Sequence, residues 1–157
     1  MKNQALVVGS SGIIGSAMTQ LLANEGWSVA GLARRPNEEA NVTAVSADLL
    51  DPEKLKAALK DMHPTHVFLT TWARQATEAE NIRVNAEMVR NVLEAVRPSG
   101  SVKHVALSTG LKHYLGPFEA YGKGALPQTP FREEQGRLDV PNFYYAQEDE
   151  LFAASER

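Results

Sequence analysis

An apolar run followed at once by three evenly spaced glycines constrains the fold of this chain more than any other feature. The run ALVV leads into GSSGIIG, which places Gly9, Gly12 and Gly15 three residues apart. Apolar residues at helical spacing then continue to Gly26; they are Ile14, Met18, Leu21 and Leu22. A strand, a tight turn and a helix N-terminus form the corner at which dinucleotide folds bind a pyrophosphate. We predict dinucleotide contacts at Gly9, Ser11, Gly12, Ile13, Ile14 and Gly15; the alternative is a set of turn glycines without a ligand.

Short β-like apolar runs alternate with helical stretches along the rest of the chain. The predicted strands lie near Leu6–Val8 and begin at Trp27, Val42, His66 and Lys103. Such alternation is typical of right-handed βαβ units around a parallel sheet. The sequence therefore predicts an α/β fold, a Rossmann-type doubly wound parallel sheet, with one dinucleotide-binding domain over residues 1–157.

Capping patterns predict where the helices begin. Asp51 before Pro52 is typical of an N-cap and a first helical position. Thr77 with Glu80 three residues later is a capping-box pattern. The segment 112–141, rich in Gly, Pro and Tyr, predicts a loop. A last helix is expected from about Tyr144.

Composition excludes several classes of function. The 157 residues include no cysteine, which excludes disulfides and thiolate chemistry. The net charge of −3 provides no basic field for nucleic acid or an anionic membrane. The apolar start is too short for a signal peptide, and no run approaches the roughly 20 apolar residues of a membrane span. We expect a cytoplasmic protein with no nucleic-acid or membrane partner.

The ends of the second and third predicted strands indicate which dinucleotide binds. Arg34 and Arg35 stand where a carboxylate would bind the ribose 2′-hydroxyl of NAD, and two cations there favour the 2′-phosphate of NADP. The alternative is a solvated arginine pair. Asp48 and Leu49 lie where related folds hold the adenine ring, although Asp48 is equally well explained as a strand-end turn residue.

Polar residues at the end of the fifth predicted strand are candidates for ligand contact. Ser108 and Thr109 lie at the carboxyl edge of the sheet, where ligands bind in open α/β folds. Ser108 is a candidate for a proton relay or a substrate contact; the alternative is that it simply ends the strand.

The residues that follow this strand have less specific interpretations. Lys112, taken alone, is expected to be a solvated loop lysine. Phe118 and Tyr121 line a pocket or pack the loop. The four histidines form no metal-binding pattern, so no metal is expected.

Neither Tyr144 nor Tyr145 is followed by the cation that usually accompanies a catalytic tyrosine. In many nucleotide-dependent reductases, a lysine follows the active tyrosine by four residues, one helical turn on. In this chain Glu148 and Asp149 occupy those positions. A catalytic tyrosine would therefore need a cation from elsewhere in the fold.

Several motifs together resemble one family. The motifs GSSGIIG, GLARRP, THVFLTTWAR, NAEMVRNVLEAV, STGLKHYLGPFEAYGK and NFYYAQEDELF are similar, in order, to those of the progesterone 5β-reductases and iridoid synthases. That family is an atypical branch of the extended short-chain dehydrogenases. The resemblance covers the chain from about Ala5 to Phe152.

The resemblance implies NADPH-dependent reduction of a C=C bond conjugated to a carbonyl. It implies that Lys112, in KHYLGPF, and Tyr144, the first tyrosine of NFYY, are the catalytic residues. It places Thr71 and Trp72 near the nicotinamide end of the cofactor site, and Phe118 and Tyr121 in the segment that lines the substrate pocket. The expected partner is a small carbonyl or enone substrate.

Family members run to roughly twice this length, so the resemblance also implies further strands and a C-terminal substrate domain outside this chain. Exposed apolar surface would then favour self-association, as a homodimer. Two other interpretations stay open. One is a carbonyl reductase or sugar epimerase/dehydratase-like enzyme, and the other is a non-catalytic NADP-sensing module.

Overall fold

One parallel sheet organises the chain. The computed structural model describes residues 3–123 and 128–156. The strands are β1 (Gln4–Val8), β2 (Ser28–Ala33), β3 (Val42–Ser46), β4 (His66–Leu69) and β5 (His104–Leu107). All neighbouring strands are parallel, in the order β3-β2-β1-β4-β5. The predicted five strands and fold class are confirmed.

Five α-helices accompany the sheet in the described residues. They are α1 (Ile13–Asn24), α2 (Pro52–Leu59), α3 (Glu78–Val96), α4 (Lys112–Leu115) and α5 (Phe143–Ser155), with single 3₁₀ turns at Arg97–Ser99 and Phe118–Ala120. The α4 turn corrects the expectation of loop structure from residue 112 onward. Gly116, at φ +77°, donates its N–H to Lys112 O and ends this turn. The glycine therefore terminates a helical turn rather than preventing one.

The described residues form two compact units. The first comprises residues 3–72 and 88–108, and the second comprises residues 73–87, 109–123 and 128–156. The first unit contains the sheet, α1, α2 and the C-terminal part of α3. The second contains the N-terminal part of α3 together with α4 and α5.

Apolar side chains from both faces of the sheet are buried in the first unit. Ala5 and Val7 of β1 form a cluster with Leu22 of α1 and Val29 of β2. Successive strand residues point to opposite faces, so the fully buried Leu6 and Val8 lie on the other face. The β3-to-β4 and β4-to-β5 connections run across the sheet opposite to β1-to-β2, and right-handed crossovers therefore place their helices over that second face. This is the doubly wound arrangement.

The predicted helix starts are confirmed. Asp51 Oδ1 accepts the backbone N–H of Lys54 at 3.2 Å, and Pro52 is the first helical residue. Thr77 Oγ1 accepts the backbone N–H of Glu80 at 3.2 Å and donates to Glu80 Oε2 at 3.1 Å. Each cap satisfies a backbone donor that has no partner within its helix.

Two features are absent from the described part of the chain. No helix in it is long and apolar enough to cross a lipid bilayer. In residues 3–123 and 128–156, no group of three His, Cys, Asp or Glu side chains is arranged to hold a metal ion.

Candidate functional site

The glycine loop joins β1 to α1 and admits no side chains at two positions. Gly9 adopts φ +89°, and its N–H donates to Leu32 O at 2.8 Å. A Cβ at residue 9 would lie 2.8 Å from Thr71 Cβ, and one at residue 15 would lie 2.6 Å from the carbonyl carbon of Gly9. Backbone and neighbouring strand therefore fill the space that side chains would need.

The same loop presents unused hydrogen-bond donors. Gly12 is the N-cap of α1 and supplies no side-chain cap, so the first N–H groups of the helix have no side-chain acceptor at that position. Ser10 Oγ is buried and has no hydrogen-bond partner among the described residues. Ile13, beside these groups, is 93% exposed. Backbone donors at a helix N-terminus, with an orphaned hydroxyl next to them, fit the diphosphate of a dinucleotide.

The residues predicted to select the cofactor lie at the strand ends of the first unit. Arg34 and Arg35 follow β2 directly and are exposed. Asp48 Oδ1 accepts the N–H of Leu50 at 3.0 Å, which is the strand-end turn that the sequence offered as one alternative. The carbonyl of Leu49 accepts Asn91 Nδ2 at 2.8 Å. Adenine contact by Asp48 and Leu49 stays a prediction.

The residues that follow β4 and β5 differ in their exposure and in their contacts. Thr71 contacts the glycine loop at Gly9, and Trp72 is 41% exposed. The N–H of Ser108 donates to Leu69 O at 2.9 Å, which extends the β4–β5 pairing and favours its interpretation as a strand end. Thr109, the first residue of the adjoining segment of the second unit, is exposed.

Lys112 is buried, and the expectation of a solvated loop lysine is wrong. Its side chain is 3% exposed, and Nζ lies 2.9 Å from Glu78 Oε2. The ammonium also lies 4.6 Å from the ring centroid of Phe118 and 5.2 Å from that of Phe143. One carboxylate and two aromatic faces thus surround the cation in the second unit.

Glu78, in the first turn of α3, has both carboxylate oxygens bonded. Oε2 accepts Lys112 Nζ and also Asn81 Nδ2, the latter at 3.3 Å. Oε1 accepts the backbone N–H of Phe143 at 2.9 Å. The carboxylate therefore joins α3, α4 and the start of α5.

Asn142 makes a second connection between α4 and α5. It is the N-cap of α5, and its Oδ1 accepts the N–H of Tyr144 at 3.1 Å. Its Nδ2 donates to the carbonyl oxygen of Lys112 at 2.8 Å. The lysine is consequently held by its main chain as well as by its ammonium.

The Tyr144 hydroxyl forms no hydrogen bond with the described residues, Lys112 included. The side chain is half-buried, and a Cβ added at Gly110 would lie 3.4 Å from its oxygen. Burial raises the pKa of Tyr144, and Tyr121 raises it further. The phenol therefore stays protonated up to a pH above about 10, the usual pKa of tyrosine, and can donate a hydrogen bond.

Phe118 and Tyr121 pack against each other, with ring centroids 5.5 Å apart in an edge-to-face arrangement. Arg74 lies 5.0 Å above the Phe118 ring. Burial raises the pKa of Tyr121, and the negative charge of Glu78 raises it further. These contacts favour the packing role for the pair, and substrate contact stays a prediction.

The acidic residues after the tyrosine pair have structural partners. Glu148 Oε2 accepts Arg137 Nη2 at 2.9 Å, and Glu148 Oε1 lies 3.2 Å from His113 Nδ1. Asp149 Oδ1 accepts Arg137 Nη1 at 2.6 Å. Tyr145 is buried, and its hydroxyl donates to His113 O. Tyr145 thus packs in the second unit.

Sequence reasoning missed Ser10, Glu78 and Asn142. Asn142 precedes an expected helix and matches the N-cap preference, so the signal for it was present. Glu78 carries no such signal. Its partners lie 34 and 65 residues away in the chain, and only the fold brings them together.

Comparisons with known proteins identify the family of this chain. The model of the NAD dependent epimerase/dehydratase family matches residues 5–148. An (S)-8-oxocitronellyl enol synthase of Camptotheca acuminata is 40% identical over 98% of this chain, and one of Nepeta racemosa is 42% identical over 94%. A 3-oxo-Δ4,5-steroid 5β-reductase of Arabidopsis thaliana is 40% identical over 94%. The chain spans only 41–42% of the length of these three relatives. They confirm the resemblance to iridoid synthases and progesterone 5β-reductases.

Solved structures show the same fold. The Bordetella bronchiseptica enzyme WbmH, determined with NAD⁺, matches with a TM-score of 0.73 at 22% identity over 98% of this chain and 53% of its own. MoeE5, determined with UDP-glucuronic acid and NAD, matches with a TM-score of 0.75 at 21% identity over 99% of this chain and 50% of its own.

Proposed function

This chain belongs to the NAD dependent epimerase/dehydratase family, and we propose that the protein is an NADPH-dependent reductase of α,β-unsaturated carbonyl compounds. The observation that carries the proposal is the 40–42% identity, over 94–98% of the chain, to proteins named as enol synthases and as a 5β-reductase of 3-oxo-Δ4,5-steroids. The substrate class is accordingly a small enal or enone, in which a C=C bond is conjugated to a carbonyl.

The first unit would hold the cofactor. The backbone donors at the start of α1 and the Ser10 hydroxyl suit the diphosphate, and the exposed pair Arg34 and Arg35 suits a 2′-phosphate. In this unit, Thr71, Trp72 and Ser108 are the proposed contacts toward the nicotinamide. NADPH supplies a hydride for the β-carbon of the substrate when it is bound.

Tyr144 is proposed to stabilise the enolate that hydride addition creates. Negative charge develops on the carbonyl oxygen, and a hydrogen-bond donor aimed at that oxygen acts where the charge appears. Support comes from the Tyr144 hydroxyl, which has no hydrogen-bond partner among the described residues, and from its raised pKa, which keeps the proton in place. Proton addition at the α-carbon then completes the reduction.

Lys112 is proposed to assist from α4. Its ammonium is the candidate for the cation that the acidic positions 148 and 149 do not provide. In the second unit this charge is compensated by Glu78 at 2.9 Å. The help that Lys112 gives to Tyr144 therefore depends on the position of the Lys112–Glu78 ion pair relative to α5.

Replacement of Tyr144 by phenylalanine tests the proposal. Wild-type chain and variant are mixed with NADPH and a panel that contains a 3-oxo-Δ4-steroid, an acyclic enal and a small cyclic enone. The loss of NADPH absorbance and the product are measured. We expect a saturated carbonyl product from the wild type and a roughly 100- to 1,000-fold lower kcat for Tyr144→Phe, the usual effect of removing one oxyanion donor. NADPH affinity should not change.

Tyr114→Phe is the matched control, because the Tyr114 ring stacks on Phe131 at 4.9 Å and has no proposed chemical role. Other outcomes would support the alternatives. An alcohol product would indicate a carbonyl reductase, and tight NADPH binding with no turnover of any compound in the panel would indicate a sensing module.

A further inference from the structure

We infer that Glu78 is a positioning residue of this site. It binds the ammonium of Lys112 and the first turn of the helix that carries Tyr144 at the same time, and so fixes the lysine relative to the tyrosine. This inference rests on the proposed function, because it concerns the two residues to which that function assigns the chemistry.

Each oxygen of the Glu78 carboxylate accepts a hydrogen bond from a different helix. Oε2 accepts Lys112 Nζ at 2.9 Å, and Oε1 accepts the N–H of Phe143, the residue directly before Tyr144, at 2.9 Å. A side chain with one charged acceptor group satisfies both donors only if they stay at a fixed separation. Movement of α4 relative to the start of α5 would break one of these bonds.

Asn142 completes a closed set of contacts. Its amide connects the Lys112 carbonyl to the N–H of Tyr144 at 2.8 and 3.1 Å. Residue 112 is thereby bound to the first turn of α5 through its main chain by Asn142 and through its side chain by Glu78. Of these two connections, only Glu78 reaches the ammonium.

Burial makes the charge of Glu78 necessary. The side chains of Lys112 and Glu78 are 3% and 11% exposed. A buried ammonium needs a counter-ion and further hydrogen bonds to offset the lost hydration. Among the described residues, the ammonium otherwise contacts the faces of Phe118 and Phe143, which are weaker partners for a cation.

A local helix-capping role does not account for Glu78. Acidic residues in a first helical turn are common because they interact favourably with the helix dipole. The capping box of α3, however, is formed by Thr77 and Glu80, and Glu80 is exposed. Glu78 instead bonds groups 34 and 65 residues further along the chain.

Glu78→Gln tests the inference with almost no change in shape. The glutamine keeps one acceptor oxygen but has no charge, and its NH₂ group cannot accept a bond from Lys112 or Phe143. We expect kcat for the enone to fall about 10- to 100-fold, the scale of a small misplacement of catalytic groups. The KM for NADPH should stay within about twofold, since no cofactor contact is removed. Glu80→Gln, with the same change in the same helical turn, should match the wild type.

A double variant separates action through Lys112 from a general loss of structure. If Glu78 acts through the lysine, kcat of Glu78→Gln/Lys112→Met will be no lower than that of Lys112→Met alone. Two independent structural defects would instead multiply their effects. Multiplied losses would overturn the inference.

A measurement without turnover separates the inference from the proposed function. In protein with isotope-labelled tyrosine, the NMR ring signal of Tyr144 is assigned from its loss in Tyr144→Phe. We expect that signal to move in Glu78→Gln and to stay in place in Glu80→Gln. An unmoved signal with wild-type kcat would overturn the role of Glu78 and leave the reductase function standing. A moved signal in a protein that binds NADPH but reduces no enone would retain the positioning contact and refute the function.

Discussion

At residue 15 the glycine loop leaves no space for a side chain. A Cβ there would lie 2.6 Å from the carbonyl carbon of Gly9 and 2.8 Å from Thr70 Oγ1. We expect Gly15→Ala to displace the loop, at a cost of about 1–3 kcal/mol in the free energy of unfolding, as is usual for overpacking. Displacement of the donors at the start of α1 should weaken NADPH binding at least about tenfold, equivalent to 1.4 kcal/mol.

Urea unfolding and a fluorescence titration with NADPH measure the two effects of Gly15→Ala. Gly136→Ala is the control, because a Cβ at residue 136 meets no atom within 4 Å and the residue has no positive φ. Wild-type NADPH affinity in Gly15→Ala would show that the loop geometry does not set cofactor binding.

Single residues also show what the sequence could not reveal. Lys112 was identifiable as a candidate from its motif, but nothing in the neighbouring sequence indicates that its ammonium is buried beside a carboxylate. Glu78 and Glu80 lie in the same turn of α3, yet Glu80 is exposed and Glu78 is paired with the buried Lys112. Whether a side chain is buried, and which group it binds, depends on contacts between segments far apart in the chain. The sequence near the residue carries no information about those contacts.

At the scale of elements, the cap of α5 is predicted to contribute more stability than an ordinary helix cap. Asn142 is 3% exposed and bonds both the N–H of Tyr144 and the carbonyl of Lys112. Loss of a cap costs about 0.5–2 kcal/mol. The Lys112 carbonyl also accepts the Gly116 N–H at 3.0 Å, so loss of the Asn142 amide removes its second hydrogen bond, worth about 0.5–1.5 kcal/mol. We therefore expect Asn142→Ala to lower the free energy of unfolding by about 1.5–3 kcal/mol.

Comparison with other variants separates the two contributions of Asn142. Asp51→Ala removes the cap of α2 and should cost about 1 kcal/mol, because the Asp51 side chain bonds Lys54 alone among the residues that the structure describes. Asn142→Ser retains a cap acceptor without the amide donor, so it should fall between the wild type and Asn142→Ala. Equal unfolding free energies for Asn142→Ala and Asp51→Ala in urea would contradict the argument.

The elements themselves were largely predictable. Strands, N-caps and the capping box follow from short-range rules, and Asp51, Thr77 and Glu80 behave as those rules require. The α4 turn was missed because a Gly- and Pro-rich segment indicates where structure ends more clearly than what lies between the breaks. Its four residues, Lys112–Leu115, offer too little periodicity for a helix to be recognised.

At the scale of the whole molecule, the strand order follows from connection rules more than from any single residue. Consecutive parallel strands joined by right-handed crossovers leave few arrangements open. The observed order β3-β2-β1-β4-β5 is one of them, with the glycine loop at the carboxyl end of the central strand. Ligands of open α/β sheets bind at such strand ends, which is why the connections alone predict a cofactor site at this position.

Cofactor selectivity should appear in the thermal stability of the chain. A ligand at 100 times its Kd stabilises the folded state by about 2.7 kcal/mol, which in a chain of this size raises Tm by roughly 5–10 °C. We expect NADPH to give such a shift and an equal concentration of NADH to give a clearly smaller one. The reason is that the exposed Arg34 and Arg35 can form charge-assisted bonds only with a 2′-phosphate.

The arginine pair is tested by the double variant Arg34→Gln/Arg35→Gln. Its Tm shift with NADPH should fall to the NADH value, and its shift with NADH should stay the same, because only contacts to the 2′-phosphate are removed. Arg83→Gln, at an exposed arginine paired with Glu87 on α3, controls for the loss of a positive surface charge at a position without a proposed cofactor contact. If the double variant kept its preference for NADPH, the two arginines would be solvated surface residues and the 2′-phosphate would be recognised elsewhere.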